Sequence, residues 1–313
     1  MDKRLLALAA LVLVAAAATP VFVPAGILLT LLLPVVGVAG ALLAGSPVGA
    51  LCLAPGALAL WLRAPDALPE FAASGLAGLV VGELVRRGVA PARAVAWGVV
   101  PFAAWTLALA ASGFDPVPPD MADAFRRVLA AQTPAGAAPL TPAAEQWISV
   151  VRRTWVGAEI VFFTGALWVA YGLAARLFAE RAWPRFAPFA RFDLPDALAA
   201  AALGGLAAVA LAQRGAGEVV ASLGGNLLLA AGILYAVRGV AIQTFWLTRA
   251  GLGPRVAATV LVAGAIVFLP VFPIVAAGLG LFDTWFDFRR LKGPESGSHP
   301  LSVFGHSSSD DGS

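Results

Sequence analysis

Long apolar stretches separated by short polar ones dominate the chain. After a first stretch from Leu5 to Ala18, they lie at about residues 22–44, 47–62, 70–86, 93–112, 155–178, 195–213, 219–247 and 255–288. About 20 apolar residues in an α-helix cross the hydrocarbon core of a bilayer. Because a segment in lipid must satisfy its own backbone hydrogen bonds, helices are expected. The pattern predicts an all-α polytopic transmembrane helical bundle of about eight to ten spans.

Composition supports a membrane location. Hydrophobic residues make up 60% of the sequence and charged residues 12%, with a mean hydropathy of +0.87. A soluble domain carries about 25% charged residues, so this chain has too few to cover a water-facing surface. The apolar segments are continuous, which favours helices over the alternating strands of a transmembrane barrel. We therefore assign residues 1–292 to one multi-pass membrane domain.

Prolines crowd the first quarter of the chain. Proline removes a backbone donor and kinks or ends a helix, so Pro34, Pro47 and Pro55 predict short or broken helices there. Pro270 and Pro273 interrupt the last apolar segment in the same way. That segment is either one long kinked helix or a hairpin of two short ones.

Two regions are polar enough to leave the bilayer. Residues 114–146 form a short extramembrane insert in which Met121, Phe125 and Val128 recur at spacings of four and three, which predicts a short amphipathic helix. We expect that helix to rest on the membrane surface, with a lid over a binding site as the alternative. Residues 293–313 are rich in Ser, Gly and Asp, a composition that predicts a disordered C-terminal tail.

Positive charges beside the apolar segments predict the orientation. With Lys3 and Arg4 in the cytoplasm, the arginines at 86–93 and 176–191 also fall on the cytoplasmic side, as the positive-inside rule requires. A hairpin at 270–273 would bring the C-terminus to that side too. The start of the chain also imitates a cleaved secretory signal, but we prefer a retained first helix because the sequence stays apolar beyond it. We expect a multi-pass protein of the bacterial cytoplasmic (inner) membrane.

Small residues recur four apart in three rows, which suits helices packed closely in lipid. Where hydrophobic drive between helices is weak, close backbone approach through small side chains holds helices together. We expect packing within the chain, with dimerisation as the alternative. The rows are Ser74, Gly78 and Gly82; Gly37, Ala41 and Gly45; and Gly204, Ala208 and Ala212.

The few reactive side chains exclude several function classes. Cys52 is alone, so it forms no internal disulfide or thiolate metal site, and its apolar surroundings indicate a small buried residue. His299 and His306 both lie in the tail. The chain has no phosphate-binding glycine loop ending in Lys-Ser or Lys-Thr, no paired-histidine motif and no serine-hydrolase elbow. We therefore expect no ATPase module, no metal, no cofactor and no enzyme activity. The scattered net charge of +3 gives no reason to expect nucleic-acid binding.

Ionisable residues inside membrane segments are costly, so they mark candidate functional positions. Glu83 stands three and four residues before Arg86 and Arg87, which predicts pairing on its own helix. Glu159 lies shortly after Arg153. It either pairs upstream or faces a cavity.

The segment 219–247 contains Asn226 and Arg238. Asn226 follows two glycines, which let the chain bend and expose carbonyl groups. If the span begins at Val219, Arg238 lies about 20 residues in and snorkels to the interface, the interpretation that we favour. If the span runs later, Arg238 lies deep in the membrane, needs a counter-ion and becomes a candidate anion site.

The last apolar segment ends in acidic, aromatic and basic residues over 280–290. Asp283 and Asp287 are four apart and so are expected to share a helix face, with Arg290 three residues beyond Asp287 as a natural partner. Aromatic residues commonly close a helix at the membrane boundary, whereas two carboxylates among them are less usual. The predicted substrate-binding residues are therefore Asn226, Arg238, Asp283, Asp287 and Glu159.

With these residues in view, the chain resembles the YybS-like family of uncharacterised bacterial polytopic membrane proteins. The resemblance lies in residues 280–290, in 191–196, which opens a helix, and in Asn226 with 238–241. Arg238 stands where the family pattern leads us to expect glutamine. The family is distantly similar to the substrate-binding membrane subunits of energy-coupling-factor vitamin transporters. That similarity implies a helical bundle that captures a micronutrient and works with a separate transmembrane coupling protein and ATPases.

Two functions follow as hypotheses. The first is small-solute binding or transport without an ATPase in the chain itself, with the lipid bilayer and a coupling or other membrane protein as partners. The alternative is a non-catalytic membrane scaffold or assembly factor. An intramembrane enzyme would need an acid–base or nucleophile constellation, and only Asp283 with Asp287 comes near one.

Overall fold

The computed structural model describes residues 2–18, 23–132, 141–179, 183, 184, 186, 188–195, 197–269 and 271–289. Over these ranges the secondary structure is helical, with no strand, so the predicted all-α class is confirmed. The predicted tail 293–313, with His299 and His306, lies outside the described residues. So do Pro270 and Arg290.

Of the eleven α-helices in the described ranges, ten follow the apolar segments and one lies in the polar insert. Prolines begin several of them, in the first turn, where the missing N–H has no partner within the helix anyway. The helices are α1 (Lys3–Ala18), α2 (Val23–Ala44), α3 (Ser46–Arg63), α4 (Leu68–Arg86), α5 (Pro91–Ala111), α6 (Pro119–Gln132), α7 (Thr141–Leu177), α8 (Ala197–Leu211), α9 (Glu218–Arg249), α10 (Pro254–Val267) and α11 (Phe272–Phe286).

Six helical stretches in the described residues are long and apolar enough to cross a membrane. Shorter apolar stretches lie at Leu32–Ala44, in α10 and in α11. Large apolar side chains such as Leu62 and Ile266 are exposed on these helices, as expected for surfaces that face lipid. The polytopic helical bundle is therefore confirmed. The six stretches are Ser46–Arg63, Pro65–Arg86, Pro91–Ala111, Ala144–Leu177, Ala197–Ala216 and Glu218–Arg249.

The chain divides into two compact units. Of the described residues, the first contains those up to 189 and those from 194 to 234, and the second contains 190–193 and those from 235 to 289. In the first unit α2 packs against α1, α3, α4 and α7, and α5 packs against α4 and α7. In the second unit α11 packs against the part of α9 that begins at Tyr235.

Glycines bring α2 and α4 into backbone contact, as two of the predicted rows require. A Cβ atom on Gly78 would lie 2.6 Å from the carbonyl oxygen of Pro34, and one on Gly82 would lie 2.6 Å from that of Val38. A side chain at either position would force the helices apart, so glycine permits the contact. Packing within the chain therefore accounts for these rows.

The third row does not pack as predicted. A Cβ atom on Gly204 would meet nothing within 4 Å. Gly205 is the contact residue instead, because a Cβ atom on Gly224 of α9 would lie 2.8 Å from the Gly205 carbonyl oxygen. One residue corresponds to about 100° around a helix, so the contact face of α8 is rotated from the predicted one.

Two prolines near the start of the chain do not break their helices, contrary to the prediction. Pro34 lies inside α2 and Pro55 inside α3, and both helices are continuous. Tightly packed neighbours compensate for the local cost of proline in membrane helices, and the backbone of Pro34 is covered by Gly78. Pro47 instead occupies the first turn of α3.

The last apolar segment is divided into two helices. α10 ends at Val267 and α11 begins at Phe272, and the backbone N–H groups of Val271 and Phe272 both donate to the Phe268 carbonyl at 2.8 Å. Pro273 takes the first turn of α11, a position that tolerates proline. Two short helices are therefore present here.

The insert contains the expected short helix, α6. Ala122 packs in a small apolar cluster with Ile148 of α7, while Met121 and Phe125 stay exposed. α7 begins at Thr141, inside the predicted insert, so the helix is longer than the apolar run alone indicated.

Replacing Gly78 with alanine is expected to destabilise the protein by about 1–3 kcal/mol, because the new Cβ atom must displace the backbone of Pro34. The control is Gly172→Ala in α7, where a Cβ atom meets nothing within 4 Å. That change should be neutral or stabilising, since alanine is the better helix former. Thermal unfolding of the purified full-length protein measures both, and equal effects would contradict the close α2–α4 contact.

Candidate functional site

Two polar or reactive residues in the membrane segments have the structural roles predicted for them. Glu83 accepts from Arg86 Nη2 at 2.7 Å and from Arg87 Nε at 2.8 Å, and Ser46 Oγ donates to it at 2.9 Å. Cys52 is buried in α3. Both are accounted for by the fold.

Asn226 joins α9 to α7 in the first unit. Its Oδ1 accepts from the Gly157 N–H at 2.6 Å, and its Nδ2 donates to the Arg153 carbonyl at 2.6 Å and the Ser222 carbonyl at 2.8 Å. A Cβ atom on Gly157 would lie 2.9 Å from the Asn226 carbonyl oxygen, so glycine allows this approach. A side-chain amide bonded between helices is a common device in membrane proteins. The geometry supports a packing role for Asn226.

Arg238 lies in the second unit and is buried, with 2% of its side chain exposed. Its Nε donates to Asp283 Oδ2 at 3.0 Å, and its Nη2 lies 2.9 Å from Asp193 Oδ1. Nη1 donates to Thr284 Oγ1 at 3.0 Å. The snorkelling interpretation is therefore wrong, because α11 and the 190–193 segment bring counter-ions to Arg238.

Two glycines allow this arrangement. Gly239 lies directly against the backbone of Ala276, and Gly280 lies directly against the backbone of Tyr235, so that neither position has room for a Cβ atom. Because Gly280 is less than one turn before Asp283, the close contact sets the carboxylate beside α9.

A second arginine completes the group. Arg289 Nη2 lies 2.8 Å from Asp283 Oδ2, and Nη1 donates to the carbonyls of Ala190 at 3.1 Å and Phe192 at 2.7 Å. The formal charges of the two arginines and two aspartates cancel. We name Asp193, Arg238, Asp283 and Arg289 the charged clasp, because they fasten the 190–193 segment to α9 and to the end of α11.

Asp287 does not share a helix face with Asp283. α11 ends at Phe286, and Asp287 adopts a left-handed conformation with φ 41° and ψ 58°. Its N–H donates to the Asp283 carbonyl at 3.1 Å, and Asp283 Oδ1 accepts from the Phe288 N–H at 2.7 Å. The predicted shared face does not form because Asp287 lies just beyond the last residue of α11. The expected partner Arg290 lies outside the described residues.

Glu159 faces a cavity of about 450 Å³ in the first unit, the second of the two alternatives that its sequence position allowed. The walls come from α4, α5, the loop after α5 and α7, and they include Glu70, Trp105 and Trp155. Within the described part of the chain, neither Glu70 nor Glu159 forms a hydrogen bond or an ion pair. Glu70 was missed in the sequence because an acid in the first turn of a helix is ordinary there.

An ion pair fixes one wall of this cavity. Arg152 Nε and Nη2 donate to the two carboxylate oxygens of Asp115 at 2.9 and 2.7 Å, and Nη2 also reaches the Val117 carbonyl at 3.1 Å. The Phe114 and Trp155 rings lie 5.6 Å apart between centroids. These contacts hold the loop after α5 against α7. The Arg152 guanidinium also lowers the pKa of the Asp115 carboxyl from its ordinary value, with help from the Val117 N–H.

Other places in the first unit are weaker candidates. Two cavities of about 480 and 510 Å³ share Arg153 and Glu218, whose side chains are 50% and 91% exposed and 3.6 Å apart. Such an exposed pair is worth little. In the described ranges, no group of three or more His, Cys, Asp or Glu side chains is placed to hold a metal ion.

Residues 7–284 match the family described as predicted membrane protein (DUF2232). The chain belongs to this family. The match to DUF2232 covers nearly all of the helical part of the chain, including Glu70, Glu159, Arg238 and Asp283, and it confirms the membrane location. Comparison with curated proteins and with solved structures yields no significant match.

Arg238→Gln is expected to destabilise this DUF2232 member by about 3–5 kcal/mol, because it leaves a net negative charge in a buried cluster. The double variant Arg238→Gln/Asp283→Asn restores the charge balance and should cost less than the sum of the two single changes. Arg249→Gln, at an exposed position in the last turn of α9, is the control and should change stability by at most about 0.5 kcal/mol. Denaturant unfolding measures all four variants. Additive single effects would contradict the clasp.

The ion pair between Asp115 and Arg152 should depend on pH. Because the folded-state pKa of Asp115 is lowered, its stabilising contribution is present above the unfolded pKa of 3.8 and is lost as the pH falls through the folded value. The melting temperature of wild type should exceed that of Asp115→Asn at pH 7, and the difference should shrink below pH 3.8 and disappear below the folded-state pKa. In an Arg152→Gln background, Asp115→Asn should have little effect on the melting temperature at pH 7. A difference that persists in acid would contradict the ion pair.

Proposed function

We propose that the protein binds a small solute in the cavity between α4, α5 and α7 and serves its transport, without an ATPase of its own. The observation that carries the proposal is the pair Glu70 and Glu159, which face the cavity without a partner among the described residues. An ionisable residue in a membrane segment is costly, so it is retained mainly where it serves a function.

The cavity walls have the composition of a ligand site. Phe102, Trp105 and Trp155 contribute apolar surface, and only a few polar groups interrupt it. Small-molecule sites of about 300–1,000 Å³ with mainly apolar walls and a few placed polar groups are typical of proteins. The cavity of about 450 Å³ falls in this range.

The charged clasp is better explained as a structural element. Arg238 and Asp283 already neutralise each other, and Arg289 with Asp193 does the same. A ligand there would have to replace short internal ion pairs. We therefore move the proposed ligand-binding role from Arg238, Asp283, Asp287 and Asn226 to the cavity that contains Glu159.

The proposal also includes the membrane in which the protein acts and the proteins that work with it. We place the protein in the bacterial cytoplasmic membrane, as a non-catalytic binding or transport component. Its resemblance to YybS-like proteins, and through them to energy-coupling-factor substrate-binding subunits, supports a division of labour in which a separate coupling protein and ATPases supply the energy.

A panel of vitamins and small metabolites should include a compound that raises the melting temperature of the purified full-length protein. A ligand at 100 times its Kd stabilises the folded state by about 2.7 kcal/mol. Ala158→Phe, which places a phenyl ring in the cavity where the ligand would bind, should abolish the shift. Gly165→Phe should retain it, since that position on α7 is exposed with nothing within 4 Å of its Cβ.

No shift across a broad panel would count against solute binding. Crosslinking pull-down then separates the two hypotheses. Recovery of envelope or division proteins would favour the non-catalytic scaffold or assembly factor, whereas recovery of a coupling protein would favour transport. A shift that survives Ala158→Phe would place the ligand elsewhere.

A further inference from the structure

We infer that the ligand of the α4–α5–α7 cavity is an organic cation, an amine or ammonium group carried on an apolar body. The inference rests on the proposed function and adds the chemical class of the solute. Three properties of the cavity support it: the charge of its lining residues, their aromatic rings and the cavity volume.

The charged side chains that line the cavity, among the described residues, are both acidic. Glu70 from α4 and Glu159 from α7 both line the cavity, and no lysine or arginine is among its lining residues in the described part of the chain. Elsewhere the fold provides such partners, since Glu83 has Arg86 and Asp283 has Arg238. Both side chains are exposed to the cavity, and two carboxylates that share one cavity favour a positive charge between them. A bound ammonium group would supply it.

Aromatic side chains surround the same space. Trp105, Phe114 and Trp155 line the cavity, and Trp155 forms a tilted ring pair with Phe114. The negative face of an aromatic ring attracts a cation, and tryptophan does so most strongly. The same rings offer apolar surface to the body of the ligand.

A metal ion fits the cavity less well than an organic cation. Ca²⁺ takes six to eight oxygen ligands, and Mg²⁺ demands an octahedral set. Besides the two carboxylates, the side-chain oxygens among the described lining residues are the hydroxyls of Thr106 and Thr154, which their own helices hold by hydrogen bonds to the carbonyls of Phe102 at 3.0 Å and Val150 at 2.8 Å. Two carboxylates and a volume of about 450 Å³ instead suit one charged group with a sizeable apolar part.

Three probes of similar size and different charge test the inference on the wild-type protein. Isothermal titration calorimetry of the full-length protein in lipid nanodiscs compares phenethylamine, phenethyl alcohol and 3-phenylpropionate. Phenethylamine should bind at least about tenfold more tightly than the alcohol, as expected for a charge-assisted hydrogen bond. The carboxylate should bind more weakly than either. Equal binding of amine and alcohol would overturn the inference and leave the cavity proposal standing.

Near-isosteric variants then assign the effect to the two carboxylates. Glu70→Gln and Glu159→Gln should each weaken phenethylamine binding by about tenfold and leave the alcohol unchanged. Asp66→Asn is the control, since it removes an exposed carboxylate four residues before Glu70 that does not line the cavity. Tight amine binding that neither glutamine variant weakens would overturn the inference. Binding of none of the three probes would overturn it too, while the broader panel would still decide whether the cavity binds a solute.

Discussion

Direct backbone contact between helices is the constraint on which the rest of the structure depends. In lipid, hydrophobic drive between helices is weak, so packing and interhelical hydrogen bonds hold the bundle together. Glycines allow such contact between α2 and α4, and also between α9 and α11. At each contact a Cβ atom would collide with the partner backbone. The contact with α11 also sets Asp283 beside Arg238, so the buried charges follow from the packing.

Polar groups in the membrane segments fall into two kinds. Asn226 and the charged clasp are bonded to backbone groups or to opposite charges, which offsets part of the cost of burying them. Glu70 and Glu159 have no such bonds among the described residues, and they line a cavity instead. The first kind is explained by the fold. The second kind has no structural explanation of its own and is therefore the best pointer to a ligand.

The candidate site could be predicted only in part from the sequence. Glu159 stood out because a carboxylate interrupts an apolar run, and Arg238 stood out for the same reason. Glu70 resembled an ordinary first-turn acid, so its place beside the cavity became visible only with the fold. Asp193 lies 45 residues before Arg238 in a polar connection, and no local pattern indicates that the two meet. The spacing of residues in the sequence shows which side chains are neighbours on one helix. A binding site, in contrast, is formed by side chains from several helices.

The sequence by itself determined the class of protein and the approximate positions of most of its helices. Apolar runs of about 20 residues specify membrane helices because each run must satisfy its own backbone hydrogen bonds. Local rules failed where long-range packing outweighed them, as at Pro34 inside α2 and at Gly204, whose neighbour Gly205 makes the contact. Only the tertiary structure decided which ionisable groups were neutralised and which were left to face a cavity. Whether an ionisable group is neutralised depends on which helices contact each other. Those contacts join residues that are far apart in the chain, so no local sequence pattern specifies them.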